Sequence, residues 1–129
     1  MNKDTLRKTI AASAAVAKDW FFEHATIKKH DDWDKRGKLE DKGIGVVYAF
    51  INAKGKCLYV GQTTGTLKQR ANARTSLHYQ AVWWQEWRWL RFMNISNQTD
   101  QLILEALLIL ALSPQCNIKP AARRIRQMF

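Results

Sequence analysis

Two different spacings of apolar residues alternate along the chain, and they predict helices and strands in a definite order. Residues 4–29 are Ala-rich with apolar side chains about 3.6 positions apart, which predicts a first helix. Residues 46–51 (VVYAFI) and 57–61 (CLYVG) are β-branched or aromatic, and the NAKGK between them supplies turn residues, so we predict a hairpin. Partial alternation in residues 86–96 predicts a third strand.

The remaining elements are predicted from capping residues and composition. Thr64 or Thr66 is expected to cap a helix after the hairpin, and Trp83 and Trp84 either extend that helix or precede the third strand. Thr99 and Asp100 open a strongly apolar helix that ends before Pro114. The predicted fold is therefore a small α/β (α+β) sandwich, with a three-stranded antiparallel sheet flanked by helices.

Length and charge limit the organisation and the partners of the protein. A chain of 129 residues fits one domain, in which we expect residues 1–42 to be an N-terminal helical extension with a charged loop and residues 43–129 to be the core with a basic tail. The net charge of +10 favours an anionic polymer as partner. The alternative is a basic protein without such a partner.

The two cysteines and the hydropathy of the chain bear on its location. Cys57 and Cys116 lie in apolar surroundings without metal-ligand spacing, which favours free thiols in a reducing compartment. No run approaches the roughly 20 apolar residues that cross a bilayer. We therefore expect a cytoplasmic protein without a membrane partner.

Glu105 is the first candidate for chemistry, because it is the only charged residue between Leu102 and Leu112. The surrounding helix is apolar nearly all round, which predicts that it is largely buried. A buried carboxylate needs a positive partner, so we favour a metal ligand or a paired carboxylate over a solvated position on the outer face.

Other candidate residues are weak when each is considered alone. The guanidinium of Arg70 suits a phosphate, but Arg70 also fits a solvated helix face. Tyr48 and Tyr59 are common types of strand residue, and Gly61 could simply end a strand. The four tryptophans between residues 83 and 89 are expected mainly in the core, although one exposed ring could stack on a base.

Taken together, these residues resemble the GIY-YIG nuclease family over residues 45–117. Tyr59-Val60-Gly61 is similar to Tyr-Ile-Gly, and the following LKQR puts Arg70 at the position of the family's arginine. The stretch LEALLILALSPQCN puts Glu105 at the metal-binding glutamate and Asn117 at the asparagine that follows a proline. The first signature, GVVY, is one residue longer than Gly-Ile-Tyr and looks like the VIYAI form of some restriction and phage members.

The resemblance implies a metal-dependent DNA endonuclease that hydrolyses a phosphodiester. In this reading Tyr48 takes a proton from water, and nearby positive charge lowers the pKa of its phenol. Arg70 neutralises the phosphate, and Glu105 holds one Mg²⁺ or Mn²⁺. Tyr59 and Asn117 are expected to orient water, phosphate or Glu105. Lys56 and His78 are the candidates for the positive charge near Tyr48, and Gly61 is expected to let a phosphate approach the backbone closely.

Charge is expected to dominate the binding of double-stranded DNA. The expected backbone contacts come from basic side chains of the core and the tail, namely Arg74, Arg88, Arg91, Lys119, Arg123, Arg124 and Arg126. Arg74 stands where the family often has His or Tyr. The N-terminal helix has three open roles: contact with DNA, pairing of two protomers in a homo-oligomer, or packing. A basic nucleic-acid-binding module without catalysis is the alternative, and an RNA-directed enzyme also stays open.

Overall fold

The computed structural model describes residues 2–33, 45–65, 67 and 81–117, and the structural statements below concern these residues. They form two α-helices, four β-strands and two short 3-10 turns. In chain order these are α1 (Lys3–His24), β1 (Thr26–Lys29), a turn at His30–Asp32, β2 (Val46–Asn52), β3 (Cys57–Thr63), a turn at Val82–Gln85, β4 (Trp87–Asn94) and α2 (Gln98–Leu112). The predicted mixed class of helices and antiparallel strands is confirmed.

The sheet has four strands in the order β1-β4-β2-β3, all neighbours antiparallel, so the prediction of three strands was wrong. The additional strand comes from the end of the segment predicted as the first helix. That helix ends at His24 rather than near Lys29, and the extended backbone of Ala25 leads into β1. β1 pairs along the free edge of β4, and this tertiary pairing overrides the helical spacing.

The hairpin between β2 and β3 is closed by the side chain of Asn52. Its Oδ1 accepts hydrogen bonds from the backbone N–H groups of Lys54 at 3.0 Å and Lys56 at 2.9 Å. Gly55 has φ of +80°, a left-handed conformation that glycine adopts without steric cost. The residues NAKGK therefore form the hairpin turn that their composition predicted.

One face of the sheet carries an aromatic core. Phe50 of β2 contacts the rings of Trp83, Trp84 and Trp87, with centroid distances of 5.2, 5.5 and 5.0 Å. These three tryptophans are buried, which confirms their predicted place in the core, and Trp83 and Trp84 lie in the 3-10 turn before β4. Trp89, by contrast, is 40 % exposed.

The two helices cover part of the opposite face. Phe21 of α1 and Leu108 of α2 pack in one cluster with Val47, Ala49 and Val60 of the hairpin. The prediction that α2 is largely buried was wrong, because much of its outer surface is exposed, including Leu102, Ile103 and Leu110. Only an inward stripe of this apolar helix meets the sheet.

Both cysteines are free thiols, as predicted, and Cys57 is buried whereas Cys116 is half-buried. Burial raises the pKa of the Cys57 thiol to about 12. Burial, and then the nearby Glu86 carboxylate, also raise the pKa of Cys116. No helix in the described part of the chain has the length and apolarity needed to cross a bilayer.

Candidate functional site

The hairpin register brings the two tyrosines of the signatures together. Tyr48 stands opposite Gly61, and Phe50 stands opposite Tyr59. Residues two apart on a strand share a face, so both tyrosine rings lie on the aromatic face of the sheet. Their centroids are 6.2 Å apart and their planes differ by 20°.

Gly61 leaves the space that the Tyr48 ring occupies. A Cβ at this position would lie 2.6 Å from Tyr48 Oη and 2.8 Å from Tyr59 Cε1. Tyr48 is 0 % exposed, and the Tyr59 ring stacks on Trp83 with a centroid distance of 5.3 Å. Glycine at the second signature thus has a packing function that the sequence reading did not foresee.

Asn117 is hydrogen-bonded to the outer edge of β3 at Val60, the residue between Tyr59 and Gly61. Its Nδ2 donates to Val60 O at 2.7 Å, and its Oδ1 accepts from Val60 N at 2.5 Å. The preceding residue continues this pairing, because Cys116 N donates to Leu58 O at 2.7 Å. Asn117 therefore holds the segment after α2 against the strand that carries the second signature.

Glu105 lies on the inward stripe of α2. Gln101 and Leu108, four residues before it and three after it, are both buried, and Glu105 itself is half-buried. Because α2 packs on the face opposite the tyrosine rings, the sheet lies between those rings and this helix. β3 is an edge strand of the described sheet, and residues 115–117 bond to its edge from Cys57 to Val60, so a ligand that touches both sides has to sit at the remaining end of this edge, beyond Val60.

Gln62 is a candidate residue of the functional site that sequence reasoning missed. It stands opposite Val47, whose side chain belongs to the face that α2 covers. Its Oε1 is buried and has no hydrogen-bond partner among the described residues, and the same holds for Gln101 Oε1 on α2. Nothing in the sequence marks these amides, because whether an amide oxygen lacks a partner depends on the packing of distant residues.

Glu105 and the amides of Gln62 and Gln101 are oxygen-bearing side chains on this side of the sheet. Amide and carboxylate oxygens are ligands that Mg²⁺ accepts, and this ion keeps several waters and needs few protein ligands. Among residues 2–33, 45–65, 67 and 81–117, no group of three His, Cys, Asp or Glu could hold a metal.

Three of the predicted basic residues are described: Lys56, which was expected to act on Tyr48, and Arg88 and Arg91, which were expected to contact the DNA backbone. Lys56 lies at the turn, where its backbone O accepts a hydrogen bond from Asn52 N. Asn52 is four residues from Tyr48 along β2, which corresponds to about 13 Å along the strand. Arg88 donates to Gln85 O at 3.0 Å and Trp87 O at 2.8 Å. The Arg88 side chain thus has a local role that the sequence did not reveal.

Arg91 is the third of these residues, and it lies on the face opposite the tyrosine rings. It donates to Phe22 O at 2.9 Å, and its guanidinium carbon is 4.6 Å from the centroid of the Phe22 ring. The other predicted site residues lie outside the described residues, namely Arg70, Arg74, His78, Lys119, Arg123, Arg124 and Arg126.

Comparison with known proteins adds no family assignment. No protein-family model, no curated protein and no solved structure matches this chain. The likeness to GIY-YIG nucleases therefore rests on the residues quoted above.

Proposed function

We propose that this protein is a metal-dependent endonuclease that hydrolyses DNA phosphodiesters, with its site at the edge of β3. The observation that carries the proposal is the arrangement of the hairpin: Tyr48 stands against Gly61 beside Tyr59. Asn117 is bonded to Val60 within the same signature. Asn117 comes from 57 residues further along the chain than Val60, so local strand propensity does not bring it to the second signature.

The residues have distinct roles in this proposal. Arg70 binds the scissile phosphate through its planar guanidinium, and Tyr48 accepts a proton from the attacking water. Asn117 positions β3 through the backbone of Val60. Glu105, with an amide oxygen such as that of Gln62, would hold Mg²⁺ or Mn²⁺, and the bound ion would supply charge stabilisation for the leaving oxygen.

A plasmid-nicking assay tests the proposal. Supercoiled plasmid is incubated with the protein and Mg²⁺, with EDTA as the metal-free control. We expect nicking by the parent protein only with Mg²⁺, and a loss of about 100-fold or more in Glu105→Gln. Asp100→Asn is the matched control, because it removes a carboxylate from the first turn of the same helix.

The outcomes of this assay separate the explanations. Nicking that survives both Glu105→Gln and Glu105→Ala would show that the ligand assignment is wrong or that another nuclease contaminates the preparation. Tyr48→Phe keeps the buried ring and removes only the hydroxyl, so a loss of nicking without a loss of stability would support its role as base. Absence of nicking by the parent protein under all these conditions would overturn the enzyme proposal.

The second candidate is a nucleic-acid-binding module without catalysis, and the burial of Tyr48 favours it. A side chain that is 0 % exposed has to be uncovered before it can meet water and a phosphate. In both candidates the net charge of +10 predicts salt-sensitive binding of DNA. We expect affinity for duplex DNA to fall by about 1,000-fold between 50 and 200 mM salt if about six phosphates are contacted.

A further inference from the structure

The helices leave part of the second sheet face open. Beyond the end of α1 this uncovered part forms a groove of about 450 Å³. We call it the Trp89 groove, and its lining residues are Phe22, Ile27, Ile51, Gly55, Trp89 and Arg91. It belongs to the face opposite the two tyrosine rings.

The Trp89 groove combines an aromatic platform with fixed positive charge. Lys29 is paired with Trp89 across β1 and β4, and its Nζ lies 5.8 Å from the centroid of the indole. Ile27 is paired with Arg91 in the same ladder, which puts the guanidinium beside an exposed apolar side chain. Among the described residues that line the groove, none is acidic. The groove therefore complements an occupant that offers a flat apolar surface and negative charge together.

We propose that the Trp89 groove binds single-stranded nucleic acid, with an unpaired base stacked on Trp89 and the adjoining phosphates near Lys29 and Arg91. Every base has a flat face that stacks on an indole, and its phosphates complement the cations. The net charge of +10 adds to this attraction. The site rests on the proposed function only in taking nucleic acid as the partner, and it does not require cleavage.

The edge of the sheet argues against a protein strand as occupant. β1 is an edge strand, and Lys28 and Lys29 are two of its four residues. Lysines on an edge strand oppose pairing with a further strand. At the opposite end of the groove, a Cβ on Gly55 would meet nothing within 4 Å, so the hairpin turn leaves room for a passing chain.

Binding is tested with a fluorescently labelled oligothymidine of about 12 nucleotides in EDTA, by anisotropy. We expect Trp89→Ala to weaken binding by about 5- to 150-fold, the range of one lost stacked base. Trp20→Ala is the matched control, because Trp20 on α1 is 44 % exposed and lies outside the groove. It should stay within about twofold of the parent protein, and Trp89→Phe should retain most of the affinity.

Two further comparisons separate the contribution of positive charge to the affinity from that of the stacked base. Lys29→Gln and Lys28→Gln remove equal charge from adjacent residues of β1, but only Lys29 faces the groove with Trp89. We expect the larger loss of affinity from Lys29→Gln. An abasic oligonucleotide with the same number of phosphates should bind the parent more weakly and should bind the parent and Trp89→Ala equally.

Several results would overturn the proposal. One is that Trp89→Ala and Trp20→Ala weaken binding of the oligonucleotide equally, and another is that the abasic and normal strands bind equally well. A third is that the parent protein is a dimer that Trp89→Ala converts to a monomer. The last result would identify a second copy of the chain as the occupant. Nicking of plasmid without binding of single strands would refute the groove alone, whereas binding through Trp89 without nicking would refute the enzyme alone.

Discussion

Gly61→Ala is the sharpest test of how the hairpin builds the candidate site. The added methyl would lie 2.6 Å from Tyr48 Oη, 2.7 Å from Tyr48 Cζ and 2.8 Å from Tyr59 Cε1. Carbon atoms pack best about 3.5–4.0 Å apart, so both rings would have to move by roughly 1 Å. The φ of Gly61 is not in the left-handed region, so alanine brings no backbone strain.

The rings have little room to move. Tyr48 is fully buried, with its centroid 5.6 Å from that of Phe50, and Tyr59 is stacked on Trp83. Overpacking of this kind costs about 1–3 kcal/mol, and replacing glycine returns about 0.4–1 kcal/mol through the unfolded chain. We expect the free energy of unfolding to fall by about 1–2 kcal/mol, which lowers the Tm by about 4–10 °C.

The assay is urea unfolding followed by circular dichroism, arranged as a double-mutant cycle. The same glycine substitution is made in the parent and in Tyr48→Leu, which lacks Cζ and Oη. The cost of Gly61→Ala should be smaller in Tyr48→Leu by at least about 0.5 kcal/mol. Gly55→Ala is the control, because its cost of about 1–2 kcal/mol comes from a φ of +80° and should not depend on Tyr48. A penalty at Gly61 that is equal in both backgrounds would refute the packing argument.

Three further predictions concern stability. Asn117→Ala should lower the free energy of unfolding by about 1–3 kcal/mol in urea melts, because Val60 N–H and C=O both lose a partner; an unchanged melt would contradict this. Gly45→Ala should reduce the denaturation midpoint more than Gly61→Ala does, because φ is +64° and a Cβ would overlap Gln101 Nε2. Burial raises the pKa of Cys57 from 9.0 to about 12, so the folded state holds this proton more tightly and stability falls as pH rises from about 9 to 12. Between pH 9 and 10 the parent should lose up to about 1.4 kcal/mol more than Cys57→Ala, and a larger loss by the variant would refute the sign.

The positions of most described elements could be predicted from the sequence because local signals are sufficient there. Asn52 and Gly55 mark the hairpin turn, and Pro114 follows the end of α2. β-branched and aromatic runs become β2 and β3 because both strands are buried on their two faces. The candidate residues of the hairpin meet because register in a short hairpin follows from its turn.

What the sequence could not predict depends on surfaces that meet only after folding. The helical spacing before Lys29 was misleading, because the free edge of β4 captures Thr26–Lys29 as a strand. The apolar composition of α2 concealed which stripe faces the sheet, since one helix can contact it along only one side. Likewise, the unpaired oxygen of Gln62 and the groove at Trp89 exist only where distant segments come together.

The sequence by itself determined the chemical inventory of this protein: its charge, its hairpin, the two tyrosines of that hairpin, and Glu105 as the one charged residue between Leu102 and Leu112. These follow from residue type and from spacing over a few positions. Only the tertiary structure decided that the tyrosine rings and α2 take opposite faces of the sheet and that β3 is the edge between them. The physical reason is that face and edge are set by which surfaces bury the most apolar area together, a property of the whole chain.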